Sequence, residues 1–162
     1  MKKLLGIAFL FVGLIGFSAQ AQEEAAEEIT DEEIAKFAAM EDSVMAFYEQ
    51  KNAELVSMIK DNEVIDGAAR YNEIKGAWDD EAKLAEIEIT DEEKVAYEAI
   101  LEFMGSLSTE VREMKIGLIK NDDVLGISTF NKVNKAMKAN PEIKEKVDSE
   151  IAQLKEKRST EE

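Results

Sequence analysis

Apolar residues recur every three or four positions along two long stretches of the chain. The stretch after Thr90 carries the cleaner stripe: Ala96, Ile100, Phe103, Leu107, Val111, Met114 and Leu118. The stretch after Thr30 carries Ile34, Phe37, Val44, Tyr48, Leu55 and Ile59. A mean spacing of about 3.7 residues exceeds the 3.5 of a left-handed coiled coil, so it favours a bundle of nearly straight helices. Two long helices are therefore predicted, the first ending near Asp61.

Shorter apolar patterns follow each long stretch and predict helices that return along the bundle. In the C-terminal half one helix is expected from about Ser128 to Lys138. Asn140 and Pro141 then favour a break, because asparagine caps helices and proline suits the first helical position. The last helix is expected to bury four apolar residues before a charged tail from Lys155: Ile143, Val147, Ile151 and Leu154.

The N-terminal half follows the same plan less strictly. Asp79 and Asp80 stand where the second half has its Asn-Pro break, with Leu84 and Ile87 on the helix that follows. The helix before them carries Tyr71, Ile74, Ala77 and Trp78. No stretch alternates apolar and polar residues as a half-buried strand does. The predicted fold class is all-α.

The two halves match each other residue by residue. Ile-Thr-Asp-Glu-Glu occurs at Ile29–Glu33 and again at Ile89–Glu93, sixty positions on. After a one-residue slip, Tyr71 matches Phe130 and Asn72 matches Asn131. A fixed period of this size indicates a duplicated supersecondary unit. We predict tandem helical repeats over residues 29–88 and 89–158, packed as an antiparallel bundle around Phe37, Val44, Ile100, Phe103, Leu107, Phe130, Val133 and Val147.

The repeated pentapeptide is typical of a helix start. Its threonine, Thr30 or Thr90, is expected to be the N-cap, and the glutamate three positions later completes a capping box. The acids between them favour the positive end of the helix dipole. The motif is therefore interpreted as structural before it is given any functional role.

The first residues are typical of an export signal. Lys2 and Lys3 precede an apolar run over Leu4–Phe17, and Ala19-Gln20-Ala21 is a small-x-small cleavage site. The run is shorter than the roughly 20 residues of a membrane-spanning helix. Residues 1–21 are predicted to be a signal peptide, residues 22–28 an acidic lead-in and residues 159–162 a charged tail. The expected location is the periplasm or the cell exterior, with no stable membrane anchor after cleavage.

Composition excludes several classes of function. The net charge is −16, and it becomes −18 once residues 1–21, with two lysines and no acids, are removed. Such a surface repels phosphate backbones, so no nucleic-acid partner is expected, whereas a cationic ligand, a basic protein or divalent counter-ions are admissible. Cysteine and histidine are absent. This removes the usual zinc sites and the Ser-His-Asp and Cys-His machinery, so no metal, cofactor or catalytic residue is predicted.

Carboxylates are the only plentiful catalytic material. Asp79, Asp80 and Glu81, with Asp122 and Asp123, are candidates for a general acid-base pair or for calcium ligands, but the calcium-loop spacing fails. They are interpreted as caps and solvated turns. The basic residues of the last helix are expected to pair with the acidic first repeat, within one molecule or across a dimer, or to form a solvated surface: Lys144, Lys146, Lys155, Lys157 and Arg158.

The segment over residues 130–147 resembles the C-terminal signature of a bacterial exported family, domain of unknown function 4168. That signature is Tyr-Asn-x-Ile-x-x-Ala followed by Asp-Pro-x-Leu; here Phe130 replaces its tyrosine and Asn140 its aspartate. The resemblance covers about Ile29 to Val147 and implies an exported helical domain without an assigned activity. A weaker one, in the paired Thr-x-x-Glu motifs, is to periplasmic chaperones of the Spy and CpxP type.

The sequence therefore predicts an exported, non-enzymatic helical binding or structural protein. A periplasmic chaperone or envelope-stress protein is the alternative, and an acid-dependent hydrolase the third hypothesis. The partner is an unidentified protein or client, and an oligomer stays open. The motif residues with a structural role, and a partner-binding role as the further hypothesis, are Tyr71, Asn72, Phe130, Asn131, Asn140 and Pro141.

Overall fold

The computed structural model describes residues 28–161, and in this range the regular structure is helical throughout. The predicted all-α bundle is confirmed. The six helices are α1 (Asp31–Lys60), α2 (Gly67–Ala77), α3 (Glu81–Glu86), α4 (Asp91–Lys120), α5 (Ile127–Ala139) and α6 (Pro141–Glu161). None of them is long and apolar enough to span a membrane. The predicted signal peptide and nearly all of the acidic lead-in lie outside the described residues.

Both long helices start as the pentapeptide predicts. The Glu33 amide donates to Thr30 Oγ1 (3.2 Å), and the Thr30 amide donates back to Glu33 Oε2 (2.9 Å). Thr90 and Glu93 make the same two bonds, at 3.1 and 2.8 Å. Each box satisfies amides that have no partner within the helix. α1 and α4 accordingly begin at matched residues, and each has 30 residues.

The two predicted breaks between the shorter helices are also confirmed. Asn140 Oδ1 accepts from the Glu142 amide (2.9 Å), and Pro141 is the first residue of α6. Asp80 Oδ1 accepts from the amides of Ala82 and Lys83 at the start of α3. In contrast, the charged segment from Lys155 continues α6 to Glu161, so the predicted tail is mostly helical.

The turns that follow α1 and α4 are built alike. Gly67 and Gly126 both have a positive φ, 73° and 80°, which residues with a Cβ rarely adopt. Just before them, Ile65 and Leu125 are buried. Asn62 Oδ1 accepts from the Val64 and Ile65 amides and so shapes the first of these turns.

The bundle has two apolar clusters, and each combines parts of both repeats. The first holds the start of α1 against the second repeat: Ile34, Phe37, Met40, Val44, Leu125, Val133 and Val147. The second holds the start of α4 against the first repeat: Ile65, Tyr71, Ile74, Tyr97 and Ile100. The first part of each long helix therefore packs against the short helices of the other repeat. The duplication itself stays a prediction, and the structure adds that matched positions make matched contacts.

The predicted core is correct for five of its eight residues. Phe37, Val44, Ile100, Val133 and Val147 are buried. Phe103, Leu107 and Phe130 are only partly buried. The apolar stripe of α4 is less covered than predicted because α4 packs mainly against α1, with a smaller contact to α5. The expectation of a single core was also wrong, since Ile100 and Phe37 belong to different clusters.

Candidate functional site

Two aromatic pairs join the repeats at matched positions. Phe37 of α1 stacks on Phe130 of α5, with ring centroids 5.7 Å apart. Tyr97 of α4, sixty positions after Phe37, packs on Tyr71 of α2 at 5.5 Å. Trp78 lies against the same Tyr97 at 4.5 Å. The motif aromatics therefore act in packing between repeats, and aromatic pairs of this geometry contribute beyond the area they bury.

Two ion pairs join the repeats beside these aromatic contacts. Arg70 of α2 donates to both oxygens of Glu93, at 2.6 and 2.9 Å, and Lys132 of α5 contacts both oxygens of Glu33, at 2.8 and 2.9 Å. The guanidinium of Arg70 holds the pKa of Glu93 at about 2, from 4.5. The Lys132 ammonium and then the Thr30 amide lower the pKa of Glu33. Both capping carboxylates are thus ionised and shared between helices.

Sequence reasoning did not find Arg70 and Lys132. The repeat alignment matches Arg70 with Thr129, and it matches Lys132 with Glu73. The two cations lie one helical turn apart in the matched helices, so no residue-by-residue comparison pairs them. α2 carries two basic residues and α5 carries three, and the sequence does not single out Arg70 and Lys132 among them.

The motif asparagines lie on the surface. Asn72 on α2 and Asn131 on α5 are exposed. Two other asparagines bond to the backbone of the preceding helical turn: Asn134 Nδ2 donates to the Phe130 carbonyl, and Asn62 Nδ2 donates to the Met58 carbonyl. Asn140 and Pro141 are exposed too and form the start of α6. The partner-binding role stays a prediction for Asn72 and Asn131.

The candidate acids lie in turns and helix starts. Asp79, Asp122 and Asp123 are exposed. Asp80 caps α3 and pairs with Lys83 at 3.3 Å, and the backbone amide of Lys83 lowers its pKa. Among residues 28–161, no three acidic side chains are grouped closely enough to hold a metal ion. The structure brings none of these acids into a described cleft.

Three of the five basic residues of α6 pair with the first repeat of the same molecule, which confirms the intramolecular alternative for Lys146, Lys155 and Arg158, whereas Lys144 pairs with Asp148 on α6 itself. Lys155 lies 2.8 Å from Glu49, and Arg158 bridges Glu49 (2.7 Å) and Asp42 (3.1 Å). Lys146 lies 3.5 Å from Asp31. Lys155, followed by Arg158, lowers the pKa of Glu49. These contacts hold the charged end of α6 on α1 and explain why it stays helical.

Charge is distributed unevenly along the fold. Residues 61–102, which form α2, α3 and the start of α4, hold fourteen acidic and four basic residues. Residues 127–161, which form α5 and α6, hold six acidic and eight basic residues. We call the first region the acidic end. Ten of its acids are exposed and form no ion pair within the described chain: Asp61, Glu63, Asp66, Asp79, Glu81, Glu86, Glu88, Glu92, Glu98 and Glu102.

Two shallow grooves open between helices. One, of about 400 Å³, lies between α1, α5 and α6, with Phe37, Val147 and Ile151 among its lining and Lys138 at its rim. The other, of about 360 Å³, lies between the end of α1 and the start of α4 and is lined by Met58, Ala96 and Ala99 with the acids Glu54 and Asp61. Both are open to solvent, so they suit contact with a partner's surface better than enclosure of a small substrate.

Comparisons with family models, curated proteins and solved structures return no match to this chain. The resemblance to domain of unknown function 4168, and the weaker one to the Spy and CpxP chaperones, stay predictions from sequence.

Proposed function

We propose that this is an exported, non-enzymatic binding protein that binds a cationic protein partner through its acidic end. The observation that carries the proposal is the set of ten exposed carboxylates that have no ion pair within residues 28–161. On α1, by contrast, the acids Asp42 and Glu49 are already neutralised by Arg158 and Lys155. The excess negative charge is therefore concentrated where it can act on another molecule.

The arrangement of the site favours binding over catalysis. General acid-base chemistry needs carboxylates that converge in a cleft, and the pKa of at least one of them must be raised towards neutral pH. Every carboxyl group with a shifted pKa among the described residues has that pKa lowered: by cations or helix amides for Glu33, Glu49, Asp80 and Glu93, and by the Ser106 hydroxyl and then Lys51 for Glu110. Lowered pKa values keep these carboxylates ionised, which suits structural ion pairs rather than proton transfer.

The distribution of apolar surface favours a binding protein over a chaperone. A chaperone for unfolded clients needs a contiguous exposed apolar surface. The large exposed apolar residues lie on α1, α4, α5 and a turn: Val56, Val64, Val95, Met104, Ile116 and Ile127. On α4, Val95 and Met104 are nine residues apart and so lie on opposite sides of the helix.

Capture from an envelope extract tests the proposal. Residues 22–162 are immobilised, and bound proteins are compared with those bound by the triple variant Glu63→Gln, Glu81→Gln, Glu86→Gln in the acidic end. The matched control carries Glu142→Gln, Glu145→Gln and Glu156→Gln on α6, which removes the same number of charges.

A cationic partner is expected to bind wild type and control, to be lost from the acidic-end variant, and to be released at about 1 M salt, where the screening length falls to about 3 Å. Equal capture by all three proteins, or capture that salt does not weaken, contradicts the proposal. Cell fractionation of the full chain tests export separately, since retention in the cytoplasm contradicts the predicted signal peptide.

A further inference from the structure

α3 and α6 occupy matched places in the two repeats but cover different surfaces. α6 has 21 residues and packs along α1, whereas α3 has six residues and packs against α2. α4 is the counterpart of α1. Within the described residues, α4 therefore has no helix along the side on which α1 carries α6.

The missing cover exposes the middle of α4. Met104 is 43% exposed, whereas Val44, its counterpart sixty positions earlier, is 8% exposed. Glu98 is exposed, whereas its counterpart Ala38 is fully buried. Leu101 is half-buried. We define the open flank of α4 as Glu98, Leu101, Glu102, Met104 and Gly105, which follow one another at helical spacing and so lie on adjacent parts of one side.

The chemistry of the open flank is that of an amphipathic surface. Leu101 and Met104 supply apolar area, and two exposed carboxylates, Glu98 and Glu102, lie beside them. Gly105 has no side chain to cover the backbone, and the space around its Cα is open, with no neighbouring atom within 4 Å of where a Cβ would lie. A helix can therefore approach closely here, as helices do where small residues lie at the contact.

The packing of α6 on α1 shows, within this molecule, what kind of helix such a surface binds. α6 places Val147 in the apolar cluster with Phe37 and Val44. At its far end Arg158 pairs with Asp42 at 3.1 Å, and the counterpart of Asp42 on α4 is the unpaired Glu102. An occupant of the open flank needs a further cation, because Glu98 stands where α1 has a buried alanine.

We infer that the open flank of α4 binds a basic amphipathic helix of the partner, in the manner in which α6 binds α1. The inference rests on the proposed function and adds the partner's shape: an apolar stripe placed on Leu101 and Met104, flanked by cations that neutralise Glu98 and Glu102. Charge complementarity and the exposed part of the Met104 side chain, which contacts the Tyr71 hydroxyl on its other side, both select a basic amphipathic helix over an acidic or purely polar one.

A peptide titration tests this inference directly. The probe is a labelled peptide of residues 141–161 in which Glu142, Glu145, Glu150 and Glu156 are replaced by glutamine, so that five basic and two acidic residues remain. A scrambled peptide of the same composition controls for charge without the apolar stripe. Fluorescence anisotropy gives the dissociation constant for the full mature protein and its variants, whose folding is checked by circular dichroism.

Two pairs of variants decide the outcome. Met104→Glu is compared with Val56→Glu, since Val56 is similarly exposed, at 39%, on α1. The double variant Glu98→Lys, Glu102→Lys is compared with Glu145→Lys, Glu156→Lys on α6, which changes the net charge equally. The open-flank variants are expected to weaken binding about tenfold or more, a difference of one decade in the dissociation constant, and the controls to leave it unchanged.

Wild-type affinity in Met104→Glu, or equal binding of the scrambled peptide, overturns the inference. If capture from the envelope still depends on Glu63, Glu81 and Glu86 in that case, the proposed function stands without this mode of binding. If neither dependence is found, both fail. Sedimentation of the protein alone gives one further outcome, because a dimer that Met104→Glu dissociates would assign the open flank to self-association and overturn the partner helix.

Discussion

Arg70 of the first repeat donates two hydrogen bonds to Glu93 of the second, Nε to Oε1 at 2.6 Å and Nη2 to Oε2 at 2.9 Å. Glu93 also accepts from the Thr90 amide at the start of α4. One carboxylate therefore stabilises a helix start and holds the two repeats together. Lys132 and Glu33 form the corresponding contact at the start of α1.

The contact between Arg70 and Glu93 is expected to make stability depend on pH. Folding lowers the pKa of Glu93 from 4.5 to about 2, so this group stabilises the folded state above pH 4.5, and the contribution is lost as the pH falls towards 2. Glu93→Gln is expected to lower the free energy of unfolding at neutral pH by about 1.5–3 kcal/mol, the range for hydrogen bonds to charged groups. Urea unfolding on both sides of pH 4.5 measures the difference.

Glu92→Gln is the control for that experiment, since Glu92 is the exposed neighbour and makes no ion pair among the described residues. It should leave stability nearly unchanged. If Glu93→Gln destabilises the protein as much near pH 2 as at neutral pH, the contact with Arg70 is not its cause.

The two capping threonines are expected to contribute equally. Thr30→Ala and Thr90→Ala each remove a side-chain acceptor for the amide three residues later, which costs about 1 kcal/mol. The double variant should lose about the sum, because the two caps are distant and share no partner. Thermal unfolding measures this. Thr109→Ala, at an exposed position inside α4, should be neutral or stabilising, and a comparable loss there would contradict a specific role of the caps.

Neither repeat is expected to fold alone. The start of α1 packs against α5 and α6, and the start of α4 packs against α2, so residues 29–88 and 89–158 each lack half of both apolar clusters. Each fragment should show weak circular dichroism and poorly dispersed NMR spectra, and an equimolar mixture should recover helical structure. A cooperative unfolding transition in either fragment by itself would contradict this.

The glycines are expected to separate into two groups. Gly67→Ala and Gly126→Ala place a Cβ at a positive φ and should each destabilise the protein by about 1 kcal/mol or more. At Gly126 the added atom would also lie 2.9 Å from Asp122 Oδ1, but the exposed Asp122 side chain can rotate away, so the two losses should be similar. Gly117→Ala, in the interior of α4 with open space around it, should stabilise by about 1 kcal/mol. Chemical unfolding that ranked Gly117→Ala below the other two would contradict the turn geometry.

The charged end of α6 shows where local rules were insufficient. Its sequence from Lys155 lacks a strong apolar stripe, so a tail was predicted there. The helix continues because Lys155 and Arg158 reach Glu49 on α1. The apolar stripe of α4 shows the reverse case, since Phe103 and Leu107 have the right spacing for a core but no helix covers them fully.

The candidate site was predicted unequally. From composition alone, the acidic balance argued against a nucleic-acid partner, and the absence of histidine and cysteine argued against the usual zinc, Ser-His-Asp and Cys-His sites. The motif residues were identified, but their surroundings were not: Tyr71 and Phe130 pack between repeats, while Asn72 and Asn131 face solvent. The open flank of α4 was not visible in the sequence, because exposure of Met104 depends on the length of a helix elsewhere in the chain.

The sequence by itself determined where the helices begin and break. Thr30, Thr90, Asp80 and Asn140 act on amides two or three residues away, so their bonds can be read from local spacing. Only the tertiary structure decided which helices pack together. Phe37 contacts Phe130, and Glu33 contacts Lys132 across 99 positions, because the start of each long helix packs against the short helices of the other repeat. Contacts between residues so far apart in sequence depend on how all the helices pack together, and the spacing of neighbouring residues does not encode that packing.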